Sequence, residues 1–264
     1  MVISKKGMKH ISKKYLNQRL LNKEEQDMLG DKSISYDENV HELKFDSKTQ
    51  VPFVFTENNY LIQAFEFREN KQRRFLPEPD QVLIYFNSAY NSLKQIDPLK
   101  KVLLEKTLPN NPINEGTENE IYNLFGHTSG FVIFLFSAVE AFMNRMIPDD
   151  FSYSENNNKR TEVYDKEQIQ KYLSFDTKYS KVIPQITQLD FKKRFPLKHT
   201  ILWNLKEFRD DLIHPKQSIG HSTYEQISKR ALKFKYEQTL EVVRDYLNFY
   251  KQDFVVECNC GVDY

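Results

Sequence analysis

Only two cysteines, Cys258 and Cys260, occur in 264 residues, in a C-x-C near the end of the chain. That excludes a disulfide framework. With no Cys or His partner at metal-site spacing beside them, the pair is expected in a surface tail rather than a zinc site. Glycine is also scarce, at 7 residues against a usual share of about 7%, which favours helices over glycine-rich nucleotide-binding architectures. Neither G-x-G-x-x-G nor G-x-x-x-x-G-K-[ST] occurs, so phosphate-cradling loops of those kinds are excluded. Charge of one sign is missing too, because 38 basic residues against 37 acidic ones leave a net +1. Bulk charge therefore does not announce a nucleic-acid binder. The longest apolar run, Gly130 to Ile147, is about long enough to cross a membrane but contains Glu140, Asn144 and Arg145. A buried helix is expected there. Met1 to Met8 lacks the apolar stretch of a signal peptide, and a cytoplasmic protein is expected.

What is present is a core: 39% of the residues are hydrophobic and 14% aromatic, enough for one large domain with a smaller extension. Most of the aromatics are read as core rather than as base-stacking platforms. Residues 1–30 combine basic groups with Leu16, Leu20 and Leu21 at helix-like spacing, which predicts a short surface helix. From Ser33 to Phe67 the texture turns to β: Ile34, Tyr36, Val40, Leu43 and Phe45, then Val51 to Phe55, the turn residues Glu57 to Asn59, and Tyr60 to Phe67. A hairpin or three-stranded sheet is predicted there. Beyond Pro79 the pattern is helical. It gives a helix over 81–108 that Pro98 should kink or split, then a long helix opened by a Thr117/Glu120 capping box and stopped by Pro148. An exposed loop over 149–160 follows, then a short helix near 166–173 and an irregular stretch. A helix over 199–213 has Leu202, Leu205, Phe208 and Leu212 on its core face. A last helix runs from Ser222 to about Tyr250. The predicted fold is mainly α, a helical bundle over 76–264 with a small α+β extension over 1–75.

Chemistry concentrates in Arg209-Asp210-Asp211-Leu212-Ile213-His214, followed by Pro215 and Lys216. Arg209 follows the core residue Phe208, so it points to the edge of the buried face. His214 precedes proline, which disfavours α geometry and ends the helix there. The carbonyls of that helix end favour a protonated imidazole. A fixed cation and a group that exchanges protons near neutrality suit phosphodiester chemistry. The alternative is structural, with Arg209 paired to Glu207, Asp210 or Asp211 and His214 serving only as a cap. A second element bears on the choice. Ser137, Glu140 and Asn144 fall at i, i+3 and i+7 within an otherwise apolar helix. A buried carboxylate needs a cation or donors, and Arg209 is the expected partner of a buried Glu140. Around the motif, residues 192–216 hold seven basic groups against three acidic ones, which reads either as a solvated helix face or as an RNA track.

The segments FSAVEAFMNRMIP and, some sixty residues on, WNLKEFRDDLIHPK resemble the two central helices of the HEPN superfamily, whose signature is R-x4-H. The resemblance covers roughly residues 80–250. It implies an all-α dimeric domain and, for many members, metal-independent RNase activity in prokaryotic toxin and phage-defence systems. Other members only bind or scaffold. On this resemblance Arg209 and His214 would be catalytic, with Asp210 and Glu140 orienting them. A two-fold dimer would bring two motifs to one cleft, and Lys216, Lys198, Lys206 and Asn144 would contact RNA. No cofactor or metal is implied, and an antitoxin or defence-system partner is. The second reading is a non-catalytic dimeric module that binds RNA or a protein, with Arg209 and Glu140 as a structural pair.

Two further patterns carry less. Glu42-Leu43-Lys44 is an E-x-K of the kind found in metal-dependent nucleases, but no upstream P-D accompanies it. Gly126 to Gly130 reads G-H-T-S-G, whose spacing suggests close helix packing, with His127 as a core or interface residue.

Overall fold

The structure, a computed structural model, describes residues 11–20, 22–23, 40–41, 53–55, 60–157, 160–215 and 222–258. The chain divides into two compact units, Ser12–Leu83 and Met1–Ile11 with Ile84–Tyr264.

The first unit is built on antiparallel strands: β1 (Arg19–Leu20), β2 (Val40–His41), β3 (Phe53–Phe55), β4 (Tyr60–Glu69) and β5 (Gln72–Pro77). Their order is β1-β4-β3-β2, with β5 also on β4. Leu61, Ile62 and Ala64 of β4 are buried and form its core. The β4–β5 turn is made by Asn70 and Lys71, whose φ angles of 51° and 66° are those of a two-residue primed turn that matches strand twist. The β texture over 33–67 is present as β2, β3 and the start of β4, and β5 extends the sheet beyond it. The predicted turn at Glu57 to Asn59 lies outside the described residues.

Lys23 is helical and most of the rest of 1–30 lies outside the described residues, but over 11–20 the helix expected around Leu16 and Leu20 gives way to extended backbone with a turn at Leu16 and Asn17. There the Leu16 N–H donates to the Glu78 carbonyl (2.8 Å) and the Asp80 N–H donates to the Lys14 carbonyl (3.2 Å). Asn17 is left-handed at φ 51°. Pairing with the segment at 78–80 overrides a weak helical pattern whose Leu20 finds no apolar cover.

The second unit is helical. Helix α1 (Gln81–Lys106) passes through Pro98 without splitting. Ile96 and Leu103, buried on either side of the proline, anchor both halves and compensate for the missing donor. Helix α2 (Glu115–Met146) is capped by Asn114, whose side chain accepts from the backbone N–H of Thr117. The predicted Thr117/Glu120 box is thus one turn too late, and Glu120 instead pairs with Lys106 at 2.5 Å. A Cβ at Gly130 would approach Ser92 Oγ to 3.3 Å, whereas one at Gly126 would meet nothing. Only the second glycine therefore serves close packing. The predicted loop over 149–160 contains β6 (Tyr153–Asn157), which pairs with β7 (Arg160–Tyr164). Buried Tyr153 anchors this hairpin in a small cluster with Ile147, Ile169 and Val182.

Helix α3 (Lys166–Tyr172) has a complete capping box on Asp165. The stretch read as irregular is helical over 175–187: α4 (Phe175–Thr177), a π-helical segment (Lys178–Val182) and α5 (Ile183–Thr187). Then come α6 (Phe191–Arg194) and α7 (Pro196–Ile213). The single last helix is two, α8 (Ser222–Lys233) and α9 (Tyr236–Tyr250). The break is closed by Tyr236, whose hydroxyl donates to the Ala231 carbonyl at 2.6 Å. Helix α7 packs on both α2 and α9. Their facing residues, Phe131, Leu135 and Phe142, then Leu202, Leu205 and Phe208, then Leu240, Val243 and Leu247, are buried and form the core. By length and hydropathy α2 alone among the described helices could cross a membrane, but it spends its apolar residues on this core. The chain is mainly helical with small antiparallel sheets in its N-terminal region.

Candidate functional site

Leu202, Leu205 and Phe208 seat α7 in the core, which turns Arg209 toward α2. Its guanidinium carbon lies 4.9 Å from the centre of the Phe136 ring. Nη1 donates to Asp210 Oδ1 at 3.0 Å, and Nη2 is 3.8 Å from Glu140 Oε2. Asp210 also accepts from Lys206 Nζ at 3.1 Å, and that ammonium is 3.6 Å from Asp176. A chain of alternating charge thus runs from Glu140 on α2 through Arg209, Asp210 and Lys206 on α7 to Asp176 on α4. Burial would raise the Asp210 carboxyl, but hydrogen bonds from Lys206 and Arg209 outweigh it and hold Asp210 below the usual carboxylate range. Burial likewise opposes the Lys206 charge, and Asp210 with Asp176 overcomes it, so that pKa is raised.

The expected pairing of Glu140 with Arg209 is present, but Glu140 is not buried. Its side chain keeps 32% of its exposure and that of Arg209 28%, because residue 140 lies at the rim of the α2 core face.

His214 ends α7 with φ −122° and ψ 61°, its backbone N–H donating to the Asp210 carbonyl at 2.9 Å. The non-helical backbone before Pro215 is as the sequence requires. The imidazole is exposed and makes no hydrogen bond or ion pair among the described residues. Helical geometry puts it roughly 7.5 Å farther along the axis than Arg209.

Of the residues expected to contact RNA, Lys206 is committed to Asp210 and Asp176. Lys198 pairs with Asp245 at 2.8 Å and lies eleven residues before Arg209, roughly 16 Å along the helix. Asn144 faces inward, and Lys216 lies outside the described residues, as do Glu42, Lys44 and Cys260. Cys258 is half-buried. Among the described residues no group of three or more His, Cys, Asp or Glu side chains is arranged to hold a metal ion.

The residue that sequence reasoning missed is Lys178. It is 4% exposed, and its Nζ donates to Asn144 Oδ1 at 3.0 Å and to the Gln170 carbonyl at 3.5 Å. Gln170 in turn donates to the Asn144 carbonyl at 2.9 Å. Burial lowers the Lys178 pKa, and the Glu140 charge works against that. The polar stripe Ser137, Glu140, Asn144 signalled that a cation must face it. Arg209 and Lys178 divide that task. A second histidine of α7, His199, belongs to an aromatic stack instead, 5.5 Å from Tyr179 and 5.3 Å from Trp203 between ring centres.

No protein-family model, curated protein or solved structure matches this chain.

Proposed function

We propose that this chain is a metal-independent endoribonuclease of HEPN type, acting in the cytoplasm in a toxin or phage-defence setting. The observation that carries the reading is the contrast within one helix end. Arg209 is held by an aromatic face and two carboxylates, while His214, five residues on, presents to solvent an imidazole with no hydrogen bond or ion pair among the described residues. A proton-transfer group must be accessible, and a charge-stabilising group must be fixed in advance. With Nη1 engaged by Asp210, Arg209 keeps further N–H donors for phosphoryl oxygens.

In the proposed reaction the substrate's 2′-OH attacks the adjacent phosphorus as an imidazole takes its proton. The P–O5′ bond breaks, and the departing 5′-oxygen receives a proton from a second acid. The products are a 2′,3′-cyclic phosphate and a 5′-hydroxyl. One motif offers a single imidazole for two proton transfers, so a symmetric dimer bringing two motifs together is part of the proposal, and an antitoxin or other partner would restrain it. The second reading, a non-catalytic dimeric module that binds RNA or a protein, draws support from the carboxylates already flanking Arg209.

The deciding experiment expresses wild type and His214→Ala side by side and compares host growth and RNA integrity. The purified proteins are then tested on RNA and DNA with and without chelator. Cleavage of RNA alone, persisting in chelator, leaving 2′,3′-cyclic ends and lost in His214→Ala, is expected. Full activity in His214→Ala, or activity abolished by chelator, overturns the mechanism.

A further inference from the structure

Strand β4 is ten residues long, yet β1 and β3 pair only with Tyr60 to Gln63. Among the described residues its partner from Ala64 to Glu69 is β5 alone, and the two strands form an arm with the Asn70-Lys71 turn at its tip. Directly opposed residues share a face, so Phe65, Leu76, Phe67 and Arg74 line one side, and Glu66, Phe75, Arg68 and Arg73 line the other. On the first side Phe65, Phe67 and Leu76 remain 44%, 45% and 41% exposed. On the second, Arg73 stacks on Phe75 at 4.6 Å.

Arg68, Lys71, Arg73 and Arg74 outnumber Glu66 and Glu69 on the arm. Their pairs, Arg68 and Arg73 with Glu66 and Arg74 with Glu69, are solvent-exposed and so worth little and easily exchanged. Positive charge alone is explained by protection of a sheet edge, but that need does not account for two phenylalanines left open on the same face. Rings at i and i+2 of a strand are about 7 Å apart, a spacing that successive bases of an extended strand can match. Aromatic platforms interleaved with cations are how single-stranded nucleic acid is gripped without sequence preference.

We infer that the β4–β5 arm is a binding surface for single-stranded RNA, with Phe65 and Phe67 stacking bases and Arg74 on that face and Lys71 at the tip meeting phosphates. The choice of RNA rests on the proposed function; the aromatic and basic pattern stands apart from it. The arm also answers the observation that Lys198 and Lys206, expected to hold RNA, are engaged by carboxylates.

The test uses the full chain carrying His214→Ala, so that RNA survives, and fluorescence anisotropy with a labelled single-stranded RNA of about 12 nucleotides, within the usual site size. Phe65→Ala with Phe67→Ala should weaken binding at least about fivefold, the low end for losing a stacked base, with melting unchanged. Arg74→Gln should lower the salt slope by about 0.7, the share of one phosphate on a single strand. Duplex RNA and heparin should compete poorly. Binding unchanged in these variants, equal competition by duplex or heparin, or no RNA binding at all overturns the inference. So does loss of self-association in place of RNA binding, which would make the face an interface between copies. If the arm binds RNA while wild type leaves RNA intact, only the proposed catalysis falls. If wild type cleaves while the arm variants bind as before, only this inference falls.

Discussion

The Lys178 ammonium donates to Asn144 Oδ1 at 3.0 Å from a position almost closed to water, beside the carboxylate that faces Arg209. A lysine in that position disfavours its own charged form, since among the described residues no counter-ion lies within ion-pair distance and Glu140 acts on it only from farther off. The polar stripe of α2 is thus served twice, by Arg209 at its rim and by Lys178 inside.

A pH dependence follows from that burial. The Lys178 pKa is lower folded than unfolded, so between the folded value and 10.5 the unfolded chain binds the extra proton and stability rises with pH. The cost is fully present below the folded pKa and gone above the unfolded one. Lys178→Met should flatten the rise in urea-unfolding free energy between neutral pH and about 10, whereas Asn144→Leu, which strands the ammonium, should cost about 2 kcal/mol or more at pH 7. A wild-type curve flat over that range would show the folded chain holding the Lys178 proton as readily as the unfolded one.

Because Glu140 keeps a third of its exposure and stands 3.8 Å from Arg209, Glu140→Ala should cost only about 1 kcal/mol rather than the several of a stranded buried charge. Asp210 should couple more strongly to Lys206 than Glu140 does to Arg209, and double-mutant cycles by chemical denaturation measure both. The depressed Asp210 carboxyl contributes stability above its unfolded pKa, and that contribution is lost as pH falls through the folded one. Asp210→Asn should therefore reduce the acid sensitivity of the fold.

The helical bundle was legible because its signal is long: Leu202, Leu205 and Phe208 repeat at helical steps and are all buried. The end of α7 was legible because Pro215 acts locally on His214. Features set by distant partners were not. Leu16 and Leu20 have helical spacing, yet the backbone there bonds to residues 78–80. Tyr153 makes a strand of an asparagine-rich stretch only through the cluster around Ile169. The capping-box pattern pointed to Thr117 with Glu120, whereas the helix opens one turn earlier on Asn114. For the site, one helix carried Arg209, Asp210 and His214 in plain spacing. Lys178 was hidden because a five-residue π-helical segment leaves no periodicity to read.

Tyr246 is fully buried, and its hydroxyl has no hydrogen-bond partner among the described residues. Tyr246→Phe removes that unsatisfied group while keeping its contacts with Phe142 and Phe191, so melting should rise by the equivalent of about 1 kcal/mol. Tyr236 and Tyr250 give the opposite lesson. Burial pushes each phenol up to about 12, so the folded state holds protons the unfolded chain releases, and stability is lost as pH rises from 10 toward 12. Tyr250→Phe should flatten that alkaline loss in thermal melts.

The dimer can be tested through its composite site. If the cleft needs the imidazoles of both protomers, a heterodimer of wild type and His214→Ala keeps one of them and loses about a hundredfold or more. Equal mixing with random subunit exchange leaves a quarter of the dimers fully wild type, so activity should fall to about half that of the unexchanged mixture. If the motifs act independently, each heterodimer keeps one working site, and exchange changes nothing. A fall on exchange, measured as RNA cleavage after exchange confirmed by mass spectrometry, therefore distinguishes a site shared across the two-fold from two independent ones. A strictly monomeric species in sedimentation at micromolar concentration would remove the premise.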